Sequence, residues 1–280
     1  MGEAVELRGE KWATQRLARV IQPLPLRRTK REVAKDLPET TEITIEIELP
    51  PDQRAMYAEH RQAVLHSLSD PTSPMPPAKR KMLVLPGLMR LRQLACHPQL
   101  IDAEAPLTSA KLTVLLEKLL ELHQQGHRAL VFSQFTRHLR LVHAALEQPG
   151  LICGYLDGKM AERERHAAVP AFQAGRGDVF LLSRRAGGVG LNLTSASYLF
   201  LLDPWCNPSV EDQAAARTHR IGQTQAVTVH RLVAKEPVEE AILALQAEER
   251  KMVDRVLDGT GAASKIGDAE LLAVLMDKAA

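Results

Sequence analysis

In the second half of the chain the apolar residues fall in short continuous runs: RALVFS (128–133), LICGYLD (151–157), DVFLLS (178–183), SYLFLLD (197–203) and VTVHRLV (227–233). Runs of this length, with polar or glycine-bearing flanks, predict strands buried on both faces. The segments between them carry apolar positions at helical spacing: SAKLTVLLEKLLELHQQG from Ser109 to Gly126, FTRHLRLVHAALE, and MAERERHAAVPAFQAG with Pro170 inside it. Ser109 is placed to cap the first of these helices and Gly126 to end it. Alternating strands and helices predict a parallel sheet covered by helices on both faces, wound by right-handed crossovers into an open α/β sandwich. Ligands of such sheets sit beyond the carboxyl ends of the strands.

Before residue 109 the pattern is different. TEITIEIELP (41–50) alternates apolar and polar residues with β-branched ones among them, which predicts a half-buried strand. PDQRAMYAEHRQAVLHSL (51–68) predicts a helix opened by proline, SDPTSPMPP (69–77) a loop, and AKRKMLVLPGLMRLRQLACHPQL (78–100) a helix broken or kinked near Pro86-Gly87. The expected organisation is a mostly helical linker and protrusion region over 1–108, an α/β lobe over 109–258, and a tail with a short helix over 259–280. LPLRRTKREVAKDLP (24–38) is locally basic.

Composition narrows this picture only a little. The 280 residues are 45% hydrophobic and 4% aromatic, so the core is expected to be built of Leu, Val and Ala. A formal net charge of +2 is too mild to announce nucleic-acid binding by itself. Cys96, Cys153 and Cys206 stand far apart with no CxxC pair, so neither a disulfide framework nor a metal site is expected, and a reducing compartment is. The charged start, MGEAVELRGEKW, has no apolar core of a secretory signal, and no apolar run is long enough to span a membrane.

The candidate chemistry gathers just after the strands. Ser133-Gln134 follow the first run, Asp157-Gly158 the second, Ser183 and RRAGGVGLN (184–192) the third, and DPWCNP (203–208) the fourth. Glycines at 187, 188 and 190 allow backbone N–H groups to approach an anionic oxygen, although a tight turn would need them equally. DQAAARTHRIGQ (212–223) carries Arg217 and Arg220. If 210–220 is helical, Gln213, Arg217 and Arg220 share one face. Two planar, always-charged forks on one face would clamp an anion. The plainer reading is a solvated basic face paired with Glu211 or Asp212.

These stretches resemble the second motor lobe of Swi/Snf-type ATP-dependent DNA translocases, a branch of the superfamily 2 helicases. ALVFSQFT resembles that family's motif IV, LLSRRAGGVGLNLT its motif V and DQAAARTHRIGQ its motif VI. YLDGKMAERERHAAVPAFQ, LPLRRTKREVAKDLPETTE and LRQLACHPQLID also resemble family segments, so the likeness covers most of residues 20–255. It implies a RecA-like parallel sheet flanked by helices, a P-loop NTPase fold. Arg217 and Arg220 are implied to be arginine fingers for the γ-phosphate of ATP. Gln213, Gly188, Gly190 and Asn192 would lie at the ATP and lobe interface. Ser133, Gln134, Asp157, Gly158, Ser183, Arg185, Gly187 and Trp205 would border the backbone of double-stranded DNA. Three positions depart from the family's habit: Arg185 stands where Lys is usual, Cys206 where Trp is usual, and Tyr155 where a basic residue is common.

The sequence contains no GxxxxGK[ST] and no acidic DExH quartet. ATP and Mg²⁺ are therefore expected to be held mainly by a first RecA-like lobe that these residues do not include, and the chain is expected to be inactive alone, as a fragment, a split gene product or a truncated frame would be. A second reading is a non-catalytic lobe that grips DNA or a partner. A third is an unrelated nucleotide-binding α/β enzyme, which the missing phosphate loop disfavours. The Ala, Leu and Arg content suggests a bacterial, cytoplasmic and nucleoid-associated protein.

Overall fold

The computed structural model describes residues 37–68, 77–105, 109–147, 150–184, 191–205 and 207–257. The predicted loop at 69–76, the tail beyond 257 and the glycine cluster at 187–190 lie outside the described residues.

Six strands form one sheet: β1 (Thr40–Ile47), β2 (Ala129–Ser133), β3 (Cys153–Leu156), β4 (Val179–Ser183), β5 (Tyr198–Leu201) and β6 (Val227–Ala234). Their order is β1-β6-β5-β2-β4-β3 and every pairing is parallel. The adjacent inner strands β2 and β4 are buried at every position, which explains their unbroken apolar sequence. β1 pairs with β6 along its whole length, from Thr40 opposite Val227 to Ile47 opposite Ala234. It is an edge strand and mostly exposed, so its alternation with Thr and Glu suits its place. The N-terminal region thus contributes a strand to the lobe's own sheet.

Period-two alternation sends neighbouring side chains to opposite faces. Val131, Leu181 and Phe200 pack on one face with α3 (Ala110–Gln124) and α4 (Thr136–Glu147), among them Leu115, Leu119, Leu139 and Val142. Leu130, Phe132, Phe180, Leu182 and Leu199 pack on the other with Phe172 of α5 (Glu162–Gln173) and Ala214 of α6 (Pro208–Thr218). A third apolar cluster joins α1 (Pro51–Leu68) and α2 (Pro77–Cys96) to the start of α7 (Pro237–Leu257), through Tyr57, Leu91, Leu94, Val238 and Ile242.

Local signals explain most ends. Ser109 caps α3, its hydroxyl accepting from the Leu112 N–H, and Gly126 follows that helix at φ +73°. The break expected at Pro86-Gly87 is not seen: α2 runs through both residues. Proline removes one hydrogen bond there, but packing carries the helix on, because Gly87 lies flush against Val64 of α1. A Cβ at that position would meet the Val64 methyls at 2.6 and 3.0 Å. Among the described residues no helix is long and apolar enough to cross a membrane.

Candidate functional site

The carboxyl edge of the sheet is organised by a residue that the sequence did not single out. Asp203, just past β5, is 1% exposed. It accepts from the Ser133 hydroxyl, from the Gln134 N–H at 3.3 Å and from the Trp205 indole N–H at 3.2 Å. Ser133 in turn accepts from the Phe135 N–H. Ser183 stands opposite Ser133 in the β2–β4 register and is also buried. Trp205 is 4% exposed and meets Phe132 edge to face. Its ring is a core element, held by the same carboxylate that holds Ser133. Gln134 is only partly buried as a residue, although its side-chain Nε2 is buried and has no hydrogen-bond partner among the described residues.

Asp157, past β3, does the same for the next loop. Its Oδ1 accepts from the N–H groups of Lys159 and Met160 at 2.8 and 3.0 Å, an Asx-type turn. Its Oδ2 accepts from the Tyr155 hydroxyl and lies 3.9 Å from Arg140. Asp157 is therefore buried and engaged, while Gly158 and Lys159 are exposed on the turn that it shapes.

α6 carries the two arginines differently from the expectation. It ends at Thr218, with His219 as its C-cap and a bend over 219–220. Gln213 and Arg217, four apart within the helix, share a face as expected, but Arg220 lies beyond the helix and does not join them. The reason is the sequence that follows. Gly222, at φ +100°, closes a turn in which the Gln223 N–H bonds Arg220 O at 2.9 Å. The buried Gln223 amide then donates to the carbonyls of Thr194, Ala196 and Thr218. The Leu193 N–H bonds Arg217 O at 3.0 Å. Both arginines thus stand on a rim stapled to the segment at 193–196 that leads into β5. Burial first, then the neighbouring Arg220 charge, lowers the Arg217 pKa from its ordinary value.

The opposite end of α6 is anchored by an ion-pair network. Glu211 is 1% exposed. Its Oε1 accepts from the Trp205 N–H at 2.9 Å and from Gln246 at 2.6 Å, and its Oε2 accepts from Arg231 Nε at 2.9 Å. Arg231 continues to Glu42 on β1 at 2.7 Å. Asp212 meets Arg250 at 3.3 Å. The carboxylates that the plainer reading assigned to Arg217 and Arg220 are thus engaged by other cations.

Of the sequence-derived positions, Ser133, Gln134 and Trp205 meet at Asp203, while Asp157 heads a separate loop. Gln213 and Asn192 are exposed. Arg185, Gly187, Gly188 and Gly190 lie outside the described residues. Sequence reading quoted Asp203 only as part of DPWCNP, gave Glu211 only as a partner for the arginines, and missed Arg231 and Gln246, because each looks like an ordinary polar residue until the chain folds. It also missed the buried pair of Lys111 and Glu239, joined at 2.7 Å, although a lysine in the apolar stripe of Leu115, Leu119 and Leu122 was a readable signal.

Comparison with known proteins agrees with this geometry. Residues 110–222 match the helicase conserved C-terminal domain, and residues 4–100 match the SNF2-related domain. The chromodomain-helicase-DNA-binding protein 1-like of Danio rerio is 37% identical over 252 residues, 86% of this chain and 24% of the relative. The human SWI/SNF-related matrix-associated actin-dependent regulator of chromatin subfamily A member 1 is 36% identical over 262 residues, 89% of this chain and 25% of the relative. The chain therefore spans about a quarter of the length of these curated relatives. The Sulfolobus solfataricus SWI2/SNF2 ATPase core in complex with dsDNA superposes with a TM-score of 0.67 at 30% identity, covering 90% of this chain and 54% of that one. With a six-stranded parallel sheet, helices on both faces and both domain matches in sequence, the chain belongs to the Swi/Snf family of ATP-dependent helicases and carries its RecA-like helicase C-terminal domain.

Proposed function

We propose that this chain supplies the second motor lobe of a DNA-dependent ATPase that moves along double-stranded DNA, with Arg217 and Arg220 as its arginine fingers. The observation that carries the reading is the rim at the end of α6. Two guanidinium groups stand there on a backbone fixed by the Leu193 N–H, the Gln223 amide and the Gly222 turn. Arginine fingers act by meeting charge that develops on the transferred phosphoryl group, and they act best when pre-positioned. The placement of Arg220 outside the helix suits this role, since its side chain is exposed and can reach across a cleft.

The described residues fit the phosphate end of ATP but not Mg²⁺. The guanidinium pair matches phosphoryl oxygens, whereas the sequence has no acidic quartet to hold the ion. ATP and Mg²⁺ would sit mainly on a first RecA-like lobe, and this chain would complete the site when the lobes close.

The DNA side is proposed along the carboxyl edge. The buried Ser133, Ser183, Asp157 and Trp205 shape the loops rather than present themselves, while Gln134, Gly158, Lys159 and Asn192 are the partly or fully exposed positions that would border the phosphates. Backbone amides and neutral side chains there would hold the duplex without reading its sequence. In a two-lobe protein, Arg217→Ala and Arg220→Ala are each expected to lower ATP turnover by about 10³-fold or more while nucleotide binding is nearly kept. Wild-type turnover in either variant contradicts the finger assignment.

A further inference from the structure

His138, in the first turn of α4, is 0% exposed, and among the described residues neither of its ring nitrogens has a hydrogen-bond partner. Buried polar atoms are nearly always satisfied, so an imidazole orphaned at both nitrogens points to a partner of another kind. Two further donors lie beside it. The Cys96 sulfur, a His138 nitrogen and an Asp203 oxygen are all within 4.8 Å of one another, and all three residues are buried. They come from three separate elements: the last residue of α2, the start of α4 and the loop after β5. Asp203 accepts from three donors, the Ser133 hydroxyl, the Gln134 N–H and the Trp205 indole. The Gln134 N–H is shared between both oxygens at 3.3 Å, so of a carboxylate's roughly four lone-pair positions the one that this long contact holds is open to a cation. The buried ammonium of Lys111 does not fill it, because that group is engaged by both Glu239 oxygens and by Leu202 O.

We propose that Cys96, His138 and Asp203 form a binding site for a divalent transition-metal cation of the zinc class, one that clamps the N-terminal helices to the sheet. Thiolate, imidazole and carboxylate together are a donor set that zinc accepts and that magnesium or calcium, which take oxygen ligands, do not. Bond lengths of about 2.0–2.3 Å place tetrahedral ligands about 3.3–3.8 Å apart, so three donors that lie within 4.8 Å of one another close by up to about 1.5 Å on binding. The fourth position would go to water, since His97 stands outside the cluster with its ring centroid 6.3 Å from that of His138. The hydrogen bonds from Ser133 and Trp205 are contacts of the kind that orient a ligating carboxylate.

The protonation states fit, with one cost. Burial, aided by the charge of Lys111, lowers the His138 pKa to about 3, so the ring is neutral and able to coordinate. Burial holds the Cys96 thiol well above its ordinary pKa, because a lone thiolate there would be uncompensated. A bound cation removes that objection by displacing the proton and supplying the opposing charge. The site escapes a search for CxxC spacing because its ligands stand at positions 96, 138 and 203.

The test is metal content and cobalt spectroscopy on the full 280-residue chain. After exposure to Zn²⁺ and dialysis against metal-free buffer, a single equivalent of zinc per chain is expected, with little or none in His138→Leu. Replacement by Co²⁺ should give a thiolate-to-cobalt charge-transfer band that survives Cys153→Ser/Cys206→Ser and disappears in Cys96→Ser. If His138→Leu fails to fold, the band in the Cys153→Ser/Cys206→Ser chain decides the matter. A wild-type chain that retains no zinc and gives no band overturns the proposal. Zinc retained at the wild-type level in a folded His138→Leu chain does so equally, as adventitious binding elsewhere.

Discussion

At the scale of single residues, this lobe depends on buried charges whose partners come from distant elements. Lys111 and Glu239 are both fully buried, and their contact ties α3 and α7, which carry them, to Leu202 O just past β5 and to the end of β6 through the Ala234 N–H. Removing one member of such a pair strands the other in a medium that solvates it poorly. Lys111→Met is therefore expected to cost about 3–5 kcal/mol of unfolding free energy, read by urea denaturation. A loss well under 1 kcal/mol would show that Glu239 finds another partner. Glu42 is a milder case with a pH signature. Burial raises its carboxyl pKa, but the hydrogen bond and charge of Arg231 outweigh it, and the net value lies below the ordinary 4.5. A carboxyl lowered on folding stabilises above its unfolded pKa, and that contribution fades as the pH falls through the folded value. Because the Glu42 side chain is 46% exposed, its contribution is about 0.2–1 kcal/mol. Stabilities of the wild type and Glu42→Gln should differ by that amount at neutral pH and converge below pH 4. A constant difference across that range would contradict the Arg231 clamp.

At the scale of elements, what could be read from sequence followed from how local the cause was. The strands from β2 to β6 announced themselves because a sheet covered on both faces demands continuous apolar runs, and Ser109 and Gly126 marked the ends of α3 because capping is local. The end of α6 could not be read so directly. Its helical spacing continues to Arg220, yet the helix stops at Thr218 because the Gln223 side chain takes three carbonyls, two of them in the strand approach at 194–196. The same holds for Trp205: its place in the core depends on Phe132 of β2, far from it in sequence, and on Asp203, which is itself held by Ser133 of the same distant strand. Glycines offer a direct test of packing between elements. Gly154 of β3 stands opposite Phe180 of β4, and a Cβ there would collide with that ring, meeting Cε2 at 2.7 Å. Gly154→Ala is expected to cost about 1–3 kcal/mol through overpacking, seen as a lower urea midpoint. An unchanged midpoint would mean that the Phe180 ring has room to turn.

For the whole molecule, the helicase C-terminal fold is bound to the segment before it, not merely followed by it. β1 closes one edge of the sheet, and α1 and α2 pack on α7 through a core of their own. The rim that carries Arg217 is tied to this segment as well, through the 2.8 Å hydrogen bond between His219 and Pro38 O, so movement of the N-terminal region would be felt at the proposed fingers. A lobe that grips backbone phosphates should bind duplexes of any sequence and lose affinity steeply with salt, as released counterions require. Affinity that does not change between low and physiological salt would contradict phosphate contacts. The central claim is that this chain completes an ATP site built mainly on another lobe. The most direct measurement is DNA-stimulated ATP hydrolysis by the purified chain alone, and then mixed with a separately expressed first lobe that carries a phosphate loop and an acidic quartet. The account predicts no turnover alone and DNA-dependent turnover on mixing, abolished by Arg217→Ala. Turnover by the chain alone, or a mixture as silent as its parts, would contradict it.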